Sequence, residues 1–442
     1  MVMVTKTNGA CLTVSALGCE QLSKKSRLLV GGSGLLCFAL AMPVLATDFI
    51  ITGSNHSTNG LGTIDGDTEA LITDDAINGS DTVSLGIALT TTAEQTVGIN
   101  TVGGTNNVFV SSSGSIVTNG FLSNGIWNQG ANNTTTVSGS ITTNGWISDG
   151  ILNQGNDNTT TVSGGITTVA SSSGIWNEGA NNTTTVSGRI TTEAESPGIM
   201  NDGNNNTTTV SGHIVTNGRL SHGIWNDGND NTTAVSGSIT TEAKSPGILN
   251  DGANNTTTVS GSITTEGASS HGIMNKGDNG NTTTVSGSIV TNGLLSHSIW
   301  NSGNDNTTTV SGSITTKDES SYGILNDGNN NTTTVSGSIV TNGPSSHGIW
   351  NNGNDNTTTV SGSIATNGLL SNGILNTGNN NTTTVSGSIT TNDSISHGIR
   401  NDGNDNTTTV SGSIATNGQN SYGIRNMGDN GNNTTTVSGS IT

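Results

Sequence analysis

Asn132-Asn133-Thr134-Thr135-Thr136-Val137-Ser138-Gly139-Ser140-Ile141-Thr142-Thr143 decides the fold of this 442-residue chain. The stretch returns, little altered, to the last residue. Its valine recurs thirteen times, from Val137 and Val162 to Val410 and Val437, at steps of 24 to 27 residues, most of them 25. Self-similarity at such a period marks a stacked array rather than one globular core. The unit around the stretch, residues 119–143, holds three short segments. They are Ser123 to Asn128, Asn133 to Val137 and Ser140 to Thr143, parted by Gly- and Asn-rich corners. Three such strands per unit of about 25 residues describe one coil of a parallel β-helix. A helix is excluded: there is no 3.6-residue period, and Gly, Asn and Thr are poor helix formers.

Period-two alternation assigns the faces. Ile126, Asn128, Thr135, Val137 and Ile141 are predicted to point inward. Trp127, Thr134, Thr136 and Thr142 are predicted to point outward. Each inward aliphatic contributes about 1.5–3 kcal/mol, while ordering each residue of the coil costs about 1–2 kcal/mol. A single coil therefore cannot stand alone, and stability must come from stacking.

Composition agrees. Aromatics are 3% and charged residues 9%, too few for ordinary domains of this length, yet the low Pro count and fixed β-branched positions argue against disorder. The net charge of −19 makes nucleic acid an unsuitable partner. Residues 1–46 differ from the rest. Lys24, Lys25 and Arg27 precede an apolar run, and Val44-Leu45-Ala46 ends in small residues, which predicts a secretory signal peptide with an extended n-region, cut between Ala46 and Thr47. A membrane anchor is the competing reading of that run. Cys11, Cys19 and Cys37 all fall within residues 1–46, so an exported mature chain is expected to have no disulfides or thiolate ligands.

Residues 47–110 read as an N-terminal cap and degenerate coils, with Val83 and Val110 one long period apart. Residues 111–442 read as thirteen to fourteen regular coils that stop in mid-coil at Gly439-Ser440-Ile441-Thr442. Terminal coils of an array are expected to be atypical.

One asparagine follows the first strand in every copy: Asn128, Asn153, Asn177, Asn201, Asn226, Asn250, Asn275, Asn301, Asn326, Asn351, Asn376, Asn401 and Asn426. A buried amide ladder explains the row better than a ligand site does. The glycine two residues on, Gly130 to Gly428, is expected where φ must be positive. The arm joining the third strand to the next first strand drifts from copy to copy, as in Glu193 to Pro197 and Gln419 to Tyr422.

Four surface rows invite functional readings. His222, His271, His297, His347 and His397 share one arm position, but only His271 and His297 lie in neighbouring coils and no acids or thiols converge on them, so no metal is expected. Asp202, Asp227, Asp251, Asp327 and Asp402 share a corner with Lys276, which a calcium column would not accept. The outward column Trp127, Leu152, Trp176, Met200, Trp225, Leu249, Met274, Trp300, Leu325, Trp350, Leu375, Arg400 and Arg425 is either an apolar contact stripe, centred on Trp127, Trp176, Trp225, Trp300 and Trp350, or a row covered by the flanking arms. Outward Thr134 and Thr136 repeat into a hydroxyl–methyl grid resembling that of ice-binding β-solenoids, interrupted at Ala234. Paired carboxylates or a nucleophile beside its base do not gather, so a polysaccharide-active enzyme is the weaker alternative, and no cofactor is expected.

The extended n-region and units of the form Gly-Ser-Ile-Thr-Thr-(arm)-Gly-Ile-Trp-Asn-x-Gly-x-Asn-Asn-Thr-Thr-Thr-Val resemble passenger regions of Gram-negative autotransporters across residues 1–442. The resemblance implies a right-handed β-helix, exported through the inner membrane and displayed at the cell surface or outer membrane, or secreted. It also implies adhesion to a host-surface, glycan or cell–cell partner. Such proteins insert through a C-terminal translocator barrel. None is present in these residues, so the translocator is expected either downstream or on a separate chain.

Overall fold

The computed structural model describes residues 27–31, 48–52, 56–57, 64–66 and 70–74 as backbone strands, and the chain from residue 82 onward except 87, 102–104, 170, 243, 278–279 and 429–431. Ala46, Thr47 and the three cysteines lie outside the described residues. The fold is a parallel β-solenoid of about 14 turns, with about 25 residues and three strands to the turn, and without a helix among the described residues. The chain divides into two compact units, Met1–Thr207 with Gly212–Val215, and Thr208–Ser211 with Thr216–Thr442.

In the first unit, strands Ile126–Asn128, Ile151–Asn153, Ile175–Asn177 and Ile199–Asn201 follow one another in an asparagine sheet. Thr134–Val137, Thr159–Val162 and Thr183–Val186 form a threonine sheet, and Ser140–Thr143, Gly165–Thr168 and Arg189–Thr192 a third sheet. Pairing is parallel and falls one coil apart, as in Ile126↔Ile151 and Val137↔Val162. The second unit repeats the pattern from Ile224–Asn226 to Ile424–Asn426, from Thr232–Val235 to Thr434–Val437, and from Ser238–Thr241 to Ser440–Ile441. Strands Arg27–Gly31 and Asp48–Thr52 pair with each other in parallel; from Asp48–Thr52 onward, chain-consecutive described strands lie in different sheets, and none closes a hairpin with its sequence neighbour.

The core is the expected one. Ile126, Val137, Ile141, Asn128 and Thr135 are fully buried, and the same rows stay buried from coil to coil as far as Asn401, Thr408, Val410 and Ile414, while Val437 and Ile441 of the last copy are exposed. Trp127, Thr134, Thr136 and Thr142 face outward and are half-buried. This is the pleat acting alone: a period of two puts Ile and Asn of Ile-x-Asn on one face and x on the other.

Two readings are corrected. Val83 does not stand above Val110; Val83 pairs with Val108, and Leu85 with Val110. A shift of two residues keeps every side chain on its face, so alternation could not detect it. Strands His56–Ser57, Ile64–Gly66 and Ala70–Asp74 join the three sheets in the same parallel fashion, so coil pairing reaches into residues 47–80.

The corner glycines are the second correction. Positive φ among the described glycines is confined to Gly218 and Gly280. The left-handed residue of that corner is instead Asn or Asp two positions later, at φ 57–61, as in Asn132, Asp157, Asn380 and Asp405. These are the non-glycine residues that tolerate that region best. Glycine is required for a different reason: a Cβ on Gly155 would stand 2.2 Å from the carbonyl oxygen of Gly130 in the preceding coil. Backbone stacks on backbone there, and no side chain fits between.

Candidate contact surface and the ladders behind it

The asparagine row forms a continuous amide ladder within each unit. Asn128 Nδ2 donates to Asn153 Oδ1 at 2.7 Å, and Asn153 Nδ2 to Asn177 Oδ1 at 2.8 Å. In the second unit the chain of bonds runs from Asn226 through Asn250, Asn275, Asn301, Asn326, Asn351, Asn376 and Asn401 to Asn426. The second Nδ2 hydrogen of each amide goes to the inward threonine of the next strand, as in Asn326 to Thr333 Oγ1 at 3.0 Å. The amides of this row thus bond through both oxygen and nitrogen, as burial demands.

Two further ladders escaped the sequence reading. The asparagine opening each Asn-Thr-Thr stretch is buried from Asn133 to Asn406 and accepts the backbone N–H of its counterpart one coil earlier, as in Asn331 N to Asn356 Oδ1 at 2.7 Å. One arm serine per coil does the same: Ser321 N donates to Ser346 Oγ at 3.0 Å, and Ser321 Oγ to the Gly293 carbonyl at 2.9 Å. The inward threonine closing the third strand reaches that arm, with Thr316 Oγ1 on the Ser321 carbonyl at 2.7 Å. The arm therefore varies at its tip while its serine is fixed. The signal was present, since this serine recurs in all thirteen copies, Ser123 to Ser421, inside a segment that otherwise drifts.

The outward tryptophan column is partly covered. Leu152, Leu249, Leu325 and Leu375 are 6–8% exposed, whereas Trp127, Trp176, Trp225, Trp300 and Trp350 are half-buried. Cover comes from the arm position occupied by histidine. His222 meets Trp225 edge-on with centroids 5.4 Å apart, and His271 meets Trp300 at 4.8 Å. Trp350 Nε1 donates to Thr377 Oγ1 at 2.9 Å, but Nε1 of Trp127, Trp176, Trp225 and Trp300 is buried without an acceptor. Arg400 ends the apolar part of the column and is held by Asp402 at 2.7 Å.

Burial sets the electrostatics of the arm column. Desolvation pulls His222 and His271 down to about 4 and His347 to about 3, and holds His297 well below its ordinary value with His271 adding to the effect. Asp149, in the same column of the first unit, is pushed up to about 7 by burial, although Ser173 donates to it.

The threonine grid is in register. Thr134, Thr159 and Thr183 form one outward row and Thr136, Thr161 and Thr185 another. In the second unit the rows continue from Thr256 and Thr258 onward, with Ala234 opposite Thr258. Along the Ser-Gly-Ser corners of residues 311–440 runs a shallow polar furrow, because glycine leaves no side chain on its floor. At the aspartate corner, Lys276 Nζ lies 3.1 Å from Asp251 Oδ2, an exposed pair that contributes little. No group of three or more His, Cys, Asp or Glu side chains gathers to hold a metal among the described residues. No described helix is long and apolar enough to cross a membrane.

These features define the chain as a ladder-braced, repeat-rich β-solenoid. No protein-family model matches it, and neither does any curated protein.

Proposed function

We propose that this chain is an exported, non-catalytic passenger whose solenoid serves as a scaffold for adhesion at a cell surface. What supports the reading is the use the chain makes of its polar groups. The buried Asn, Ser and Thr rows are committed to bonds between or within coils, and the histidine row is desolvated. The side chains left for partners are the outward threonines, the half-buried tryptophans and the arm tips, including exposed Trp146, Leu295 and Leu370. Such surfaces bind and hold; they do not supply a positioned acid, base or nucleophile. The reading is tested by displaying residues 47–442 on a non-adherent bacterium and measuring attachment to host cells, to glycans and to sister cells. Attachment to none of the three at high display density, or turnover of a polysaccharide by the purified chain, refutes it.

A second reading rests on the two in-register threonine rows: their hydroxyls and methyls form a regular grid, which suits ordered water. Ice recrystallisation in the presence of the chain tests it. Inhibition abolished by Thr334→Lys with Thr359→Lys would favour it over adhesion.

A further inference from the structure

The arm position that covers the tryptophans has a chemical rule that its residue types conceal. Asn, Asp, Ser, Pro, His and Tyr occupy it, and wherever it is Asn, Asp or a histidine other than His222, the side chain accepts the backbone N–H of its counterpart one coil later. Asn124 Oδ1 accepts from Asp149 at 2.7 Å, and Asp149 Oδ1 from Ser173 at 2.6 Å. In the second unit His271 Nδ1 accepts from His297 at 3.1 Å, His297 Nδ1 from Tyr322 at 3.1 Å, and His347 Nδ1 from Asn372 at 3.0 Å. Asn372 Oδ1 then accepts from His397 at 2.9 Å. A neutral imidazole with its proton on Nε2 is thus an amide-oxygen mimic. His222 is the exception that fits the rule: its counterpart one coil later is Pro246, which has no N–H, and His222 Nδ1 has no partner.

Histidine differs from asparagine in one respect, which is that it can take a proton. A protonated ring is a donor at both nitrogens, so Nδ1–H would face the N–H it now accepts. The rings are also stacked. His271 and His297 lie 5.1 Å apart between centroids, His297 and Tyr322 4.5 Å, and Tyr322 and His347 5.3 Å, with Trp300 and Trp350 edge-on beside them. We propose that His271, His297 and His347 form an acid-released catch: neutral, they tie down the arms of His297, Tyr322 and Asn372 beside Trp300 and Trp350, and protonated, they let those arms go.

The surroundings set where release falls. His271 faces His297 and Trp300; His297 faces His271, Tyr322 and Trp300. His347 faces Tyr322, Trp350 and Asn372, and after burial the charge of Arg400 also disfavours its protonated form. No carboxylate is set against any of the three to favour the charged ring. His397 is a different case, because the Arg425 guanidinium lies 3.0 Å from its Nε2. A folded-state value below the unfolded one means the released arm binds more protons below pH ~6.5, so closure weakens as pH falls from there to about 4.

The native chain supplies the control, since Asn372 does the same work without titrating. The experiment compares the full chain with the H271N/H297N/H347N variant by amide exchange and tryptophan fluorescence from pH 7 to 3. In the wild type, the arm amides of His297, Tyr322 and Asn372 should lose protection by up to about tenfold per pH unit for each histidine that must be protonated. In the variant they should keep it, although every carboxylate remains. Nitrogen-15 shifts of the rings give a reading that needs no variant: Nδ1 should be unprotonated at pH 7. Equal loss in both proteins, a wild type that stays closed to pH 3, or rings carrying the proton on Nδ1 would each overturn the catch.

Discussion

Asn326→Ala tests the amide ladder where it is best defined. Asn326 is fully buried. Its Oδ1 accepts from Asn301 at 2.8 Å, and its Nδ2 donates to Asn351 at 2.7 Å and to Thr333 at 3.0 Å. Alanine removes all three bonds and strands the Asn351 oxygen without its ladder donor, in a place water does not reach. Asn301 keeps its bond to Thr308 and so is only half stranded. With a buried unsatisfied group costing about 1–3 kcal/mol, and with the losses sharing neighbours, the expected destabilisation is about 3–5 kcal/mol. Because each coil contacts only its neighbours, the damage should be local. Amide exchange should therefore speed most at the coils holding Asn301 and Asn351, and the urea transition should broaden or split. Asn329→Ala is the matched control, since Asn329 lies at an exposed corner and its side-chain oxygen accepts one bond, from the Asn354 N–H at 2.8 Å. Its cost should stay below about 1 kcal/mol. If the two substitutions cost the same, the ladder is decoration and the valine and isoleucine rows carry the fold alone.

Gly337→Ala places a Cβ 1.9 Å from the Gly312 carbonyl oxygen; that backbone contact must open, so the thermal midpoint should fall with a loss of about 2 kcal/mol or more. Asp149→Asn should stabilise the first unit at pH 8 and change little at pH 4. The raised value of about 7 means that the folded state binds more protons than the unfolded one between about pH 4 and 7, so stability falls as pH rises through that window; paired denaturation curves at the two pH values check the sign. Pro246→Ala supplies the N–H that His222 lacks. The new bond contributes about 1 kcal/mol and lost proline rigidity offsets about 0.4–1 kcal/mol, so stability should hardly move while the His222 Nδ1 shift does.

The period, the three strands and the inward rows were legible because they are local. Ile126, Val137 and Ile141 sit in short β-branched segments, and alternation along one strand tells which face each takes. The asparagine ladder was also legible, because Asn128 to Asn426 recur at an inward position where only a stacked partner could satisfy them. Glycine at the corner was legible as a constraint but not in its cause. A sequence shows that Gly155 is glycine; only the stacked coils show the Gly130 oxygen beneath it.

What the tertiary structure alone decided are the contacts made between coils by groups whose own copy gives no sign of them. Asn331 on Asn356 and His297 on Tyr322 each join residues 25 apart. When neighbouring copies are nearly the same, such pairs leave no contrast in the sequence, since each residue meets its own likeness or a backbone N–H that every residue but proline carries. The cover over the tryptophan column was decided in the same way. Whether an outward indole meets water depends on the arm folded beside it, and that arm is held by hydrogen bonds to the coil stacked against it.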